Sequence, residues 1–218
     1  MDRDALDVAL DEAFATTARG LSEWPDPRVG WEPGRSPPQE WYSRVLDPDK
    51  YRLLGARWAA WVRVLTEAGL AELKDGDAAE WHDLPGVVVT GTARLVPSAA
   101  GALPLVVAHT RIDETPDAGV AVGVGDPAWM VAVIPFCGCD ACDDGSDPLV
   151  EELDDAVWGV VSGAFRLVRD GDRRVLTLGP MSARLWSAQG EFEPDEPAQW
   201  LADPGGRTLV QGQAWDAV

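Results

Sequence analysis

Histidine and cysteine are scarce in this chain of 218 residues, which holds two of the former and three of the latter. Two histidines leave little capacity for general acid–base catalysis near neutral pH, because histidine is the side chain that ordinarily titrates there. The sequence also has no G-x-S-x-G, no H-E-x-x-H and no P-loop pattern, which mark serine hydrolases, zinc peptidases and nucleotide-binding enzymes. It therefore shows no catalytic constellation.

Basic residues are also few. Eighteen lysines and arginines stand against 37 aspartates and glutamates, which gives a formal net charge of −19. Such a surface repels nucleic acid and anionic membranes, so the natural complement is a basic protein. No apolar run reaches membrane-spanning length. Residues 1–14 have neither a basic start nor a continuous apolar stretch, so we expect no signal peptide and a cytoplasmic location.

The spacing of apolar residues predicts a helical N-terminal part. Residues 4–20 have an apolar position about every third or fourth residue, which indicates an amphipathic helix. A second helix is predicted to begin around Pro48 and to end near Gly69, or near Lys74 if that glycine is tolerated. The stretch between the two helices, residues 22–47, is rich in proline and is expected to wrap the surface.

The second part of the chain has the pattern of short strands with local connections. A helix beginning near Pro148 is expected to stop at Gly163, and a short helix is predicted over 196–203. Runs of β-branched residues between turn residues predict a mainly antiparallel sheet. The predicted strands are 87–96, 103–112, 120–124, 128–135, 165–168, 174–178, 182–188 and 209–214.

Together these elements predict an α+β fold in which the N-terminal helices pack on the sheet and a further helix follows the cysteine segment. We expect one domain over residues 1–218. Its helical and proline-rich part is expected to span 1–85 and its sheet-rich part 86–218.

All three cysteines lie in the segment FCGCDACDDGSDP, residues 136–148, which we call the cysteine loop. Their spacing is C-x-C-x-x-C, and its C-x-x-C half is typical of tetrahedral zinc sites. Cys137, Cys139 and Cys142 are therefore the predicted ligands of a structural zinc ion, and His109 is the first candidate for the fourth position. Other candidates for that position are His82, Asp140, Asp143 and a water molecule.

The aspartates of the cysteine loop bear on its chemistry. Four nearby carboxylates raise the cost of a free thiolate, which disfavours an activated nucleophilic cysteine. A zinc ion would reverse this, holding the thiolates while the aspartates cap the next helix or orient the ligands. Two alternatives stay open, namely plain packed thiols and a disulfide or redox pair.

Eleven tryptophans are an unusual number beside two tyrosines. Trp58, Trp61 and Trp158 fall on apolar helix faces and are expected in the core. Trp24 and Trp41 belong to the proline-rich stretch, where tryptophan either forms a binding platform or pins the stretch to the body; we favour the second role.

Three segments resemble a known family: YSRVLDPDKYRLL at 42–54, VGVGDPAW at 122–129 and CGCDACDDGSDPLVEELDDAVWGVVSG at 137–163. They are similar to actinobacterial proteins that share a domain of unknown function, over roughly residues 40–203. The resemblance implies a bacterial, single-domain, cytoplasmic protein with the cysteine loop as a family mark. It implies no activity, ligand or catalytic residue.

Two hypotheses for function follow. The first is a non-enzymatic acidic binding protein, of the immunity or antitoxin type, which masks a basic partner and carries a structural zinc in the cysteine loop. The alternative is a small metal- or thiol-dependent enzyme that uses residues 137–147. A deep pocket that reaches the thiols would favour the enzyme.

Overall fold

A computed structural model describes residues 3–32, 34–75, 79–82, 84, 86–179, 183–186 and 192–216. The helices are α1 (Arg3–Thr17), α2 (Arg52–Glu67), α3 (Ser146–Val161) and α4 (Glu196–Ala202). The strands are β1 (Ala71–Asp75), β2 (Val88–Pro97), β3 (Leu105–Ile112), β4 (Thr115–Val124), β5 (Trp129–Ile134), β6 (Arg166–Asp170), β7 (Arg173–Thr177), β8 (Ala183–Trp186) and β9 (Thr208–Gln211). Single turns of 3-10 helix cover Gln39–Ser43, Pro48–Tyr51 and Asp140–Cys142.

The strands form two antiparallel sheets. The larger sheet has the order β1-β2-β3-β4-β5, and the smaller has the order β8-β7-β6-β9. In the larger sheet every neighbour in space is also the neighbour in sequence, which is the meander that the short connections predicted. The predicted α+β class is confirmed, with the N-terminal helices packing on the five-stranded sheet.

The core lies between α2 and the larger sheet. Leu54, Trp61 and Leu65 of α2 are fully buried and share one cluster with Val107 and Val122 of the sheet. These helix residues recur at the spacing that places them on one face. Burying each such side chain stabilises the fold by roughly 2 kcal/mol, so the apolar stripe of α2 fixes the helix on the sheet.

One buried charged pair ties the helices to each other. The Arg57 guanidinium of α2 donates to the Asp154 carboxylate of α3 from Nε at 3.0 Å and from Nη2 at 2.7 Å. Trp61 Nε1 donates to the same carboxylate at 2.7 Å, and Arg57 Nη1 reaches Asp11 of α1 at 2.9 Å. Because the polar atoms are paired in a set geometry, the network fixes the angles at which the three helices meet.

The structure differs from the predictions at the end of α2. The helix stops at Glu67, and Gly69 follows with φ +69, which agrees with the first predicted end. The alternative end near Lys74 is wrong, because Lys74 lies in β1 and pairs with Arg94 of β2. The outer residues of the predicted strand 182–188 lie outside the described residues, and the single-domain assignment stays a prediction.

None of the helices in the described part of the chain has the length and apolar character needed to cross a bilayer.

Candidate metal centre

The cysteine loop joins β5 to α3 and is held against the fold by its backbone. Gly138 sits so close to Ile112, the last residue of β3, that a Cβ at position 138 would come within 2.6 Å of the isoleucine side chain. The hydroxyl of Tyr51, just ahead of α2, lies 3.5 Å from the Gly138 carbonyl oxygen. The loop therefore lies where the C-terminal end of β3 meets the start of α2.

The three thiols of this loop converge. The sulfur atoms of Cys137, Cys139 and Cys142 all lie within 4.8 Å of one another, and the Cys137 and Cys139 sulfurs are 3.2 Å apart. Cys139 is buried, whereas Cys137 and Cys142 are exposed. Three cysteines this close could hold a metal ion.

Hydrogen bonding within the cluster makes the three sulfurs unequal. Burial acts to raise the pKa of Cys139, but hydrogen bonds from the thiols of Cys137 and Cys142 and from the backbone outweigh it, so the pKa is lowered. Loss of hydration raises the pKa of Cys142 to about 12, and its hydrogen bonds to the other two sulfurs act in the same direction. Of these two sulfurs, Cys139 is therefore the one that ionises more readily.

Asp143, in the same loop, is a buried carboxylate that is fully engaged. It is 4% exposed, and it accepts hydrogen bonds from Trp24 Nε1 at 2.9 Å and from the Gly145 backbone N–H at 3.0 Å. Lys50 Nζ lies 2.5 Å from its other oxygen. The side chain therefore anchors the segment that precedes α2 and is not aimed at the sulfurs as a free ligand.

Two other loop aspartates, Asp140 and Asp144, are paired in the same way. Asp140 accepts a hydrogen bond from Arg44 Nε at 2.6 Å and another from the Leu46 backbone N–H at 3.1 Å. Asp144 forms an ion pair with Arg28. The sequence predicts that the loop aspartates cap α3 or orient the thiols, whereas Asp140 and Asp144 bind arginines of the proline-rich stretch.

Backbone contacts complete this junction. The Ser146 N–H donates to the Trp24 carbonyl at 2.9 Å, and the Trp24 N–H donates to Ser146 Oγ at 3.2 Å. Gly145 has φ +89, and a Cβ there would lie 2.6 Å from the Asp26 backbone nitrogen. Only glycine permits this close approach. Trp24 does pin the proline-rich stretch to the body, as expected.

The structure places His109 in β3, opposite Val120 of β4. Its ring faces α2, because a Cβ on Gly55 would come within 3.4 Å of the His109 Cε1 atom, and its Nδ1 is buried with no hydrogen-bond partner. Among the residues that the structure describes, the group of close metal-binding atoms consists of the three cysteines. The assignment of His109 as fourth ligand stays a prediction, as does zinc itself.

The sequence also matches a family model over residues 10–217. The chain belongs to DUF6226, a family of unknown function. No curated protein and no solved structure matches the chain. The predicted resemblance to a domain of unknown function is thus confirmed at the level of the family, while the actinobacterial source and the role of the loop as a family mark stay predictions. Membership of DUF6226 brings no activity, so the function has to be argued from the geometry.

The sequence prediction missed the partners of the aspartates in this DUF6226 chain. Arg28, Arg44 and Lys50 all fall within or directly after the proline-rich stretch, although basic residues are outnumbered two to one in the chain. Residues 22–50 contain four basic residues and the cysteine loop four aspartates, so the three partners are not distinguished by number. The same stretch also carries six acidic residues, so its net charge gave no signal for the contact with the acidic loop.

Proposed function

We propose that this protein is a non-enzymatic binding protein whose cysteine loop is closed by a structural zinc ion held by Cys137, Cys139 and Cys142. The observation that carries the zinc site is the convergence of the three sulfurs to within 4.8 Å of one another. Sulfurs bound to tetrahedral zinc, with Zn–S bonds of about 2.3 Å, stand about 3.8 Å apart. The cluster thus matches the donor geometry to within roughly 1 Å.

The charges around the cluster support a bound cation. Arg44, Lys50 and Arg28 are each engaged by an aspartate of the loop, so their charge is already balanced. Binding of a divalent ion deprotonates the three thiols, and the charge of the ion offsets the repulsion among the resulting thiolates. The ion would then join the end of β5 to the start of α3.

Two features favour a structural role over the alternative of a small enzyme. Three thiolate ligands transfer much electron density to zinc, which weakens its ability to acidify a bound water relative to a site of three neutral histidines. A surface cavity of about 450 Å³ reaches Asp143 from the side of Trp24 and Lys50, and its lining includes none of the three cysteines.

Metal analysis of the untagged full chain tests the zinc site. We expect about one equivalent of zinc per chain, with thiols that react slowly until a chelator is added. The Cys139→Ser variant should lose the metal, whereas the control His82→Ala, which alters an exposed ring stacked on Trp129, should keep it. Less than about a tenth of an equivalent in the unaltered chain, with equal thiol reactivity before and after chelation, would end the zinc proposal.

The binding role that we propose is the masking of a basic protein in the cytoplasm. The support is the net charge of −19, which favours a cationic partner and disfavours nucleic acid. Association with such a partner should slow as salt rises. Capture at low and high salt, followed by reconstitution with the purified partner, tests it; recovery of nucleic acid, or of no salt-sensitive partner, would contradict it.

A further inference from the structure

The proposed zinc site has three protein ligands and faces solvent. In the described part of the chain, no fourth histidine, cysteine or acidic side chain joins the group of metal-binding atoms within 4.8 Å. Cys137 and Cys142 are exposed, and Phe136 beside them is 83% exposed. Zinc prefers four ligands, so the remaining position is open to a molecule that arrives from outside.

The nearest carboxylates are not free to fill that position. Asp143 accepts hydrogen bonds from Trp24, Lys50 and the Gly145 backbone N–H. Asp140 accepts them from Arg44 and the Leu46 backbone N–H. Asp144 is paired with Arg28. Moving Asp143 or Asp140 onto the metal would break an ion pair of a largely buried carboxylate that holds the loop.

The charge of the centre selects the kind of donor. Three thiolates and one divalent ion sum to −1, and the cations nearest in the fold are already balanced by Asp140, Asp143 and Asp144. A further thiolate or carboxylate would make the centre −2 within a chain of net charge −19. A neutral donor adds no repulsion, and imidazole nitrogen is the neutral protein ligand that zinc binds well.

We infer that the fourth position of this centre is exchangeable and takes an imidazole nitrogen from outside the chain, as a histidine of a partner protein would supply. The inference rests on the proposed zinc site. In the exchange the nitrogen lone pair forms the new bond while a bound water leaves, and no proton or electron is transferred. Phe136 and Leu46, both strongly exposed at or beside the loop, offer apolar contacts to such a partner.

Cobalt(II) in place of zinc provides the test on the purified full chain. Its thiolate charge-transfer absorption reports the bound sulfurs, and its visible band reports the fourth ligand. We expect free imidazole to shift the visible band in a saturable way while the charge-transfer intensity stays constant, because all three cysteines remain bound. His109→Ala should give the same spectrum and the same response.

The outcomes separate the two proposals. Absence of a thiolate band would overturn the zinc site itself. A normal thiolate band that ignores imidazole would leave the metal site standing and overturn the open position; a changed spectrum in His109→Ala would then identify His109 as the internal ligand. A response to β-mercaptoethanol at lower concentration than to imidazole would overturn the choice of a neutral donor.

Discussion

Lys50 and Asp143 form an ion pair that is nearly closed to solvent. The Lys50 Nζ atom lies 2.5 Å from Asp143 Oδ2, and the two side chains are 17% and 4% exposed. The residues are 93 positions apart in sequence, so the pair joins the approach to α2 to the loop that carries the thiols. The same carboxylate holds the indole of Trp24, which makes it the central contact of this junction.

We predict that Asp143→Asn lowers the free energy of unfolding by about 3 kcal/mol, because it leaves a largely buried ammonium without its counter-charge. Glu67→Gln is the matched control, since it removes a carboxylate from the exposed pair with Arg63 and should cost no more than about 0.5 kcal/mol. Urea denaturation of both variants measures the difference. Equal losses of unfolding free energy would show that the buried pair stabilises the fold no more than the exposed pair does.

Asp154→Asn is expected to cost a similar amount, about 3 kcal/mol, because Arg57 is 5% exposed and would lose its main counter-charge. The loss should be measured by thermal and urea unfolding. Asp7→Asn serves as the control, because it disrupts the more exposed pair with Arg3 within α1. If the two variants unfold at the same denaturant concentration, the buried network does not fix the helices.

Gly145→Ala should destabilise the protein more than Gly30→Ala. Both glycines have φ near +90, but nothing lies within 4 Å of a Cβ at Gly30, whereas one at Gly145 would meet the Asp26 backbone. The positive φ costs each variant about 1–3 kcal/mol, and the clash adds at least about 1 kcal/mol at position 145. Comparison of their unfolding midpoints measures the extra destabilisation caused by the clash at position 145. Indistinguishable midpoints would show that the clash has no effect.

Removal of zinc should lower stability. At free zinc one hundred times the dissociation constant, binding to the folded state alone contributes about 2.7 kcal/mol, and a chelator should abolish that contribution. Cys142→Ser should be less stable than the unaltered chain in zinc and insensitive to the chelator. Hydrogen exchange of residues 137–145 gives a local readout, since their amides should exchange faster without the metal. If the chelator destabilises Cys142→Ser as much as the unaltered chain, its effect does not come from removing zinc from the cysteine loop.

Local features of the sequence predicted much of the fold. The apolar stripe of α2 and the β-branched runs of β2 to β5 are patterns that a helix or strand needs in order to bury one face, so these elements were predicted. The predicted strand 120–124 was too short, because β4 begins at Thr115. Strand β1, Ala71–Asp75, was missed because its sequence AELKD has no β-branched residue and follows directly on a helix. Its strand conformation comes from pairing with β2, which is a tertiary effect.

The candidate site was likewise predictable only where its residues are close together in the sequence. The three cysteines could be grouped from sequence because they lie within six positions, so a single loop brings them together. The pairing of Asp140 with Arg44 spans 96 positions, and no local pattern gives the approach of two segments so far apart. His109, the first predicted candidate for the fourth position, lies in β3 outside the loop, so no local spacing relates it to the cysteines, and its role as a ligand stays a prediction.

The contacts between residues 24–50 and the cysteine loop also determine when the N-terminal segment can complete its folding during translation. A ribosome releases the N-terminal segment first, yet Trp24, Arg28, Arg44 and Lys50 find their partners only at positions 140–146. Until about two thirds of the chain has been translated, these four residues lack their partners in the cysteine loop. Residues 24–50 are therefore translated early but form these tertiary contacts late. Contacts of such long sequence separation slow folding.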